Sequence, residues 1–146
     1  MSGIIGGAGS KSGVIGRIEV DNEQGDWTLI PNSVSITGTT GRYYKVGGLV
    51  MVRGYFHTAS GYTGGTNIEI TGLPYPPTQD CCGALQLYEA NVQGTGSSGE
   101  TYNITSRIEA SGKLKCLESR DSMTWHTMTW SGIGTGHFFF TITYMT

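Results

Sequence analysis

The chain has 146 residues, enough for one domain with a sizeable core. Charged residues make up 14% of it and glycine contributes 24 positions, against about 25% charged residues and ~7% glycine in an ordinary soluble domain. The formal net charge of −2, without a basic run, removes the electrostatic case for a nucleic-acid partner.

Residues 1–16, MSGIIGGAGSKSGVIG, hold too few side chains to build a core, and glycine loses the most backbone freedom on ordering. Ile4, Ile5, Val14 and Ile15 form two small apolar anchors in this stretch. The apolar runs are too short for a signal peptide or a membrane span. The segment reads as an arm that orders on a neighbouring subunit through those four residues. Residues 17–25 read as a polar connector. Domain boundaries follow: arm and connector at 1–24, and one β-sandwich domain at 25–146.

No segment keeps helical periodicity for three turns, and turn chemistry recurs every eight to twelve residues, the pattern of a sandwich or barrel. Strands are predicted at 26–30 (DWTLI) and 33–37, with a turn at 38–41. Residues 42–46 (RYYKV) and 49–57 (LVMVRGYFH) flank Gly47-Gly48, a two-residue hairpin signal. In the second of these, Val50, Val52 and Phe56 share one face, and Met51, Arg53, Tyr55 and His57 the other. Further strands are expected at 66–70, with Ile68 and Ile70 inward, and at 83–88. Pro74, Pro76 and Pro77 exclude a central strand between them. Residues 101–110 and 113–117 read as a hairpin around Ser111-Gly112. Strands at 125–130 and 137–144 complete nine or ten. Phe138, Phe140, Ile142 and Tyr144 share a face of the last, as in a central strand.

Three motifs stand in order: GDWT at 25–28, GRYYKVGGLVMVRGYF at 41–56 and ITGLPYPP at 70–77. Together they resemble a β-sandwich domain of structural proteins from tailed bacteriophages, and GAGSKSGVIG resembles the start of small virion proteins of that kind. The resemblance covers most of the chain. It implies an antiparallel, jelly-roll-like β-sandwich with an extended glycine-rich arm, located in the virion and assembled in the bacterial cytoplasm. Tail-fibre versions end a much longer chain, whereas here the domain follows a short arm. That favours a non-enzymatic capsid decoration (cement) protein, self-associating as a trimer on the major capsid protein. A tail-fibre or receptor-binding domain for host surface glycan is the first alternative, and a polysaccharide depolymerase the second. No cofactor, nucleic acid or membrane is implied.

Catalytic and metal signatures are weak. GGAGSKSG lacks the glycine spacing of a phosphate loop, since Ser10 and Ile5 stand where glycines are needed. Asp21, Asn22, Glu23, Gln24 and Asp26 are clustered oxygen ligands without EF-hand spacing. His57, His126 and His137 are far apart in sequence and show no metal-ligand spacing. Glu69, Glu89, Glu109 and Glu118 are scattered, with no local sign of a glycosidase pair. Lys113 and Lys115 read as part of a solvated face. The sequon at Asn103 carries no meaning in a bacterial cytoplasm. Cys81, Cys82 and Cys116 are odd in number and are expected as free thiols, a Cys82–Cys116 bridge being the alternative if two strands are neighbours. Aromatic residues are the strongest binding signal. Tyr55, Tyr62, Tyr75, Tyr88, Trp125 and Trp130 could form a sugar-stacking or subunit-interface surface.

Overall fold

The structure, a computed structural model, describes residues 22–32, 34–58, 65–90, 103–119, 125–130 and 135–146. The expected arm, with Ile4, Ile5, Val14 and Ile15, lies outside the described residues, as does Tyr62. The described residues form ten strands: β1 (Asn22–Asp26), β2 (Ile30–Pro31), β3 (Thr37–Val46), β4 (Leu49–Thr58), β5 (Glu69–Thr71), β6 (Cys81–Tyr88), β7 (Asn103–Ile108), β8 (Leu114–Ser119), β9 (His126–Thr127) and β10 (Gly136–Met145). Every pairing is antiparallel. The fold is all-β and sandwich-like, as the turn spacing predicts.

One curled sheet runs in the order β1-β3-β4-β10-β6-β7-β8-β5-β2, with β9 attached to β8. β6 makes the curl. Its residues 84–88 pair with β10, and residues 81–83 pair with β7. At this corner Gly83 is required by close approach: a Cβ there would lie 2.4 Å from the Thr141 carbonyl oxygen and 2.5 Å from Ile142 Cγ1. The Thr105 hydroxyl donates to the Gly83 carbonyl at 2.8 Å, and the Ser106 hydroxyl to the Ala84 carbonyl at 2.9 Å. Two side-chain hydrogen bonds therefore brace the bend that divides the sheet into halves.

β1 and β2 lie at opposite ends of the sheet order yet are separated by three residues, Trp27, Thr28 and Leu29. Trp27 and Leu29 are buried as the chain crosses between the ends. The Trp27 N–H donates to the Gly41 carbonyl at 3.0 Å and its indole N–H reaches the Arg53 carbonyl at 3.4 Å. Sequence alone predicts a strand through 26–30, but the apolar pair is used here as a plug between the halves. The stretch 22–25, expected as part of a polar connector, is instead an edge strand. None of the five residues of this edge strand is buried, so neither of its faces requires apolar side chains. Residues 34–36 form no strand, and 38–41 lie inside β3 beside a register irregularity between Thr37 and Thr40.

The core joins the inward faces of the two halves. Val50, Val52 and Phe56 of β4 and Phe138, Phe140, Ile142 and Tyr144 of β10 are fully or nearly fully buried. They meet Ile68, Ile70, Ile108, Leu114, Cys116, Met128 and Trp130 in one cluster. Phe56 stacks on Phe138 with ring centroids 4.6 Å apart and meets Trp130 edge-on at 6.0 Å. Each large side chain buried this way stabilises the fold by about 1.5–3 kcal/mol before entropy is counted. Trp130, expected as a candidate surface aromatic, is 1% exposed and belongs to this core. Its indole N–H donates to Asn32 Oδ1 at 3.0 Å, which satisfies its one polar atom away from water.

Candidate interaction surface on the outer face of β3, β4, β10 and β6

Alternation turns the remaining side chains of β3, β4, β10 and β6 outward, and strand register arranges them in rows. Nearest the β3–β4 turn, Val46, Leu49 and Met145 lie in line. Next come Gln24, Tyr44, Met51 and Thr143, and then Asp26, Arg42, Arg53, Thr141 and Ala84. Beyond these, Thr40, Tyr55, Phe139 and Gln86 form a fourth row, and Thr37, His57, His137 and Tyr88 a fifth. Same-face residues repeat every ~7 Å along a strand, so the rows span roughly 27 Å from end to end.

Six of the eight exposed large apolar side chains among the described residues lie on this face: Val46, Leu49, Met51, Tyr88, Phe139 and Met145. At the turn end, Val46 is 53% exposed and Leu49 and Met145 are each 45% exposed. Gly47, at φ 59°, closes the turn between β3 and β4 as the Gly-Gly signal predicts. The Thr146 N–H donates to the Gly48 carbonyl at 2.9 Å, which holds the end of β10 beside that turn.

The far end of the face is aromatic. Tyr55 lies against Phe139 at 4.9 Å and stacks on His137 at 5.8 Å, its hydroxyl sharing a 2.8 Å hydrogen bond with His137 Nδ1. The rings of His57 and His137 are 4.6 Å apart, and Tyr88 packs on His137 from the other side at 5.7 Å. Glu89 leaves β6 at φ 55° and brings its carboxylate within 3.9 Å of His137 Nε2. An open groove of about 1140 Å³ runs over this region, from Asp26, Arg42 and Arg53 to Tyr88 and His137. The two histidines are 80 positions apart in sequence, so only the β4–β10 register brings them together. His126 stands apart on β9.

The outer face of the other half has a different character. Lys115 stands between Glu69 at 3.4 Å and Glu109 at 2.9 Å, and Lys113 reaches Glu69 at 2.8 Å. Arg107 pairs with Asp80, which also accepts the Ala110 N–H at 2.8 Å. Lys113 and Lys115 thus occupy a solvent-facing ion-pair network. The Lys113 hydrogen bond holds the Glu69 carboxyl below the usual carboxylate range. A glycosidase acid needs the opposite shift, so Glu69 is not placed to act as one. Among the described residues no group of three or more His, Cys, Asp and Glu side chains could hold a metal ion.

Other predicted site residues fall elsewhere. Tyr75 is half-buried at the edge of the sheet, where the Glu23 carboxylate accepts hydrogen bonds from both the Tyr43 and Tyr75 hydroxyls. The two rings meet edge-on at 5.8 Å, and Lys45 lies 5.1 Å over the Tyr75 ring. Tyr75 therefore clamps the proline-rich loop to β1 and β3, and its backbone carbonyl also accepts from the Tyr144 hydroxyl at 3.0 Å. Trp125 is exposed, outside the aromatic rows. Among the described residues, the clustered oxygen ligands of 22–26 do not converge. In β1, Asn22, Gln24 and Asp26 alternate with Glu23, which is engaged by the tyrosines, and Asp26 pairs with Arg42 at 3.0 Å. Asp21 is outside the described residues.

Cys81, Cys82 and Cys116 are free thiols. The Cys82–Cys116 alternative is excluded by the pleat: β7 lies between β6 and β8, Cys82 is exposed on the outer face and Cys116 is fully buried on the inner one. Burial pushes the Cys116 thiol up to about 12. No protein-family model, curated protein or solved structure matches this chain.

Proposed function

We propose that this chain is a non-enzymatic virion structural protein of the capsid-decoration kind, docking on its partner through the turn end of the β3–β4–β10 face. The observation that carries the reading is the grouping of Val46, Leu49, Met51 and Met145, all exposed and in adjacent rows of three neighbouring strands. The ion-paired outer face of the other half is suited to water. An exposed apolar group of this kind is suited to a protein partner. The resemblance of GDWT, GRYYKVGGLVMVRGYF and ITGLPYPP to phage structural domains supplies the class of partner: the major capsid protein and sister copies in a trimer. The arm at 1–16 adds a second anchor through Ile4, Ile5, Val14 and Ile15.

Sedimentation with expanded capsids of the encoding phage tests the reading. The intact chain should saturate the shell at low and high salt alike, because apolar burial is screened little. The double variant Leu49→Lys/Met145→Lys alters exposed positions, should fold, and should fail to co-sediment. Full occupancy by that variant would overturn the docking face.

A further inference from the structure

We propose that the groove at the other end of this face binds an acidic oligosaccharide, with a sugar ring on Phe139, which Tyr55 braces, and its carboxylate on Arg53 and Arg42. The floor is right for a pyranose. Phe139 is 43% exposed and lines the groove, and Tyr55, tilted against it at 4.9 Å and itself stacked on His137, braces the ring between polar neighbours. The C–H face of a sugar ring is apolar and slightly positive, and an aromatic face is apolar and slightly negative. Gln86 and Thr141 border Phe139 with hydrogen-bonding groups for hydroxyls. The groove, at about 1140 Å³, exceeds the ~300–1,000 Å³ that encloses a drug-sized ligand. It therefore suits several linked sugars.

The charge argument selects an acidic ligand. Arg42 and Arg53 are direct cross-strand partners on β3 and β4, an arrangement that costs stability because like charges face one another. Asp26 balances Arg42 at 3.0 Å. Of the arginines described, Arg107 likewise has a carboxylate, Asp80. Arg53 has none among the described residues; its guanidinium lies 6.0 Å over the Tyr44 ring. The row thus holds two cations and one anion beside the aromatic platform. A ligand carboxylate there would relieve the Arg–Arg repulsion and meet a planar fork that binds it with two charge-assisted hydrogen bonds.

An array of uronate-containing, sialate-containing and neutral hexose oligosaccharides, probed with the full chain, tests this, followed by calorimetry on the best-retained acidic saccharide and on its carboxyl-reduced form. Acidic members should be retained and neutral ones not. Carboxyl reduction, Arg53→Ala and Phe139→Ala should each weaken binding tenfold or more, and added salt should weaken it too. Arg53→Lys, which keeps the charge without the fork, should give a smaller loss, and it serves as the folded comparison if Arg53→Ala melts early. Equal retention of neutral sugars, unchanged affinity in Arg53→Ala or in the carboxyl-reduced ligand, or retention of no acidic saccharide would overturn the proposal.

Discussion

Gly54 stands opposite Phe140 in the pairing of β4 with β10, and the Phe140 ring fills the space a side chain at position 54 would take. A Cβ there would lie 2.2 Å from Phe140 Cζ. The missing side chain in an otherwise apolar inward row is what lets Phe140 reach Trp27, edge-on at 6.1 Å, and seal the crossing between β1 and β2. Gly54→Val should therefore destabilise the domain by about 1–3 kcal/mol through overpacking. Urea midpoints measure it, and Gly54→Val/Phe140→Leu should recover part of the loss. An unchanged midpoint in the single variant would show that the ring moves aside freely.

The Glu23 clasp predicts an alkaline weakness. Hydrogen bonding of the Tyr43 and Tyr75 hydroxyls to the Glu23 carboxylate raises both phenols above their ordinary range. A raised phenol favours its protonated form in the fold. The stabilisation is complete below the unfolded value of about 10 and is lost as pH rises through the folded values. Stability should thus fall as pH rises above about 10. Tyr144, pushed by burial up to about 12, contributes in the same direction. The double variant Tyr43→Phe/Tyr75→Phe should be less stable at pH 7 and show a shallower alkaline decline. Denaturant titrations at a series of pH values measure both, and an equally steep decline in the variant would rule out the clasp as a cause.

At the acid end, Asp80 behaves oppositely. The Arg107 guanidinium and the Ala110 N–H hold its carboxyl below the ordinary value. Its contribution is present above the unfolded pKa of ~4 and is lost as pH falls through the lower folded value. Asp80→Asn should lose stability near neutral pH and little in strong acid. Both groups are solvent-exposed, so the effect should be small and reduced by salt.

Thiol reactivity should follow burial. Cys82 should react first with a disulfide reagent in the native protein. Cys81, raised by partial burial, should react more slowly, and Cys116 should react only on unfolding. Three thiols should titrate in denaturant. Native reaction of Cys116 at the rate of Cys82 would contradict its place in the core.

Local chemistry made some of this legible. Alternation in 138–144 is strong enough to place β10 centrally, and Gly47-Gly48 marks the β3–β4 hairpin because no Cβ opposes positive φ at Gly47. The inward and outward sets of 50–57 also follow from period two. Trp130 was not legible as core, because burial of an aromatic depends on which strands face it. The outer surface was half legible: Tyr55 and Tyr88 stand out as aromatics, but Phe139 does not stand apart from its inward neighbours. Arg42 opposite Arg53, and His57 beside His137, exist only through register. Pairing between β4 and β10 joins positions from 78 (Thr58 with Gly136) to 96 (Leu49 with Met145) apart, and nothing local encodes that choice.

The proposed virion role depends most on the turn end of the β3–β4–β10 face being a docking surface. A map of the particle that this role calls for, at a resolution that shows side chains, tests it most directly. The account predicts copies on the head shell, grouped in threes, with Val46, Leu49, Met51 and Met145 seated against a neighbouring subunit. Copies confined to the tail, or a shell-bound copy with those four side chains facing solvent, would contradict it.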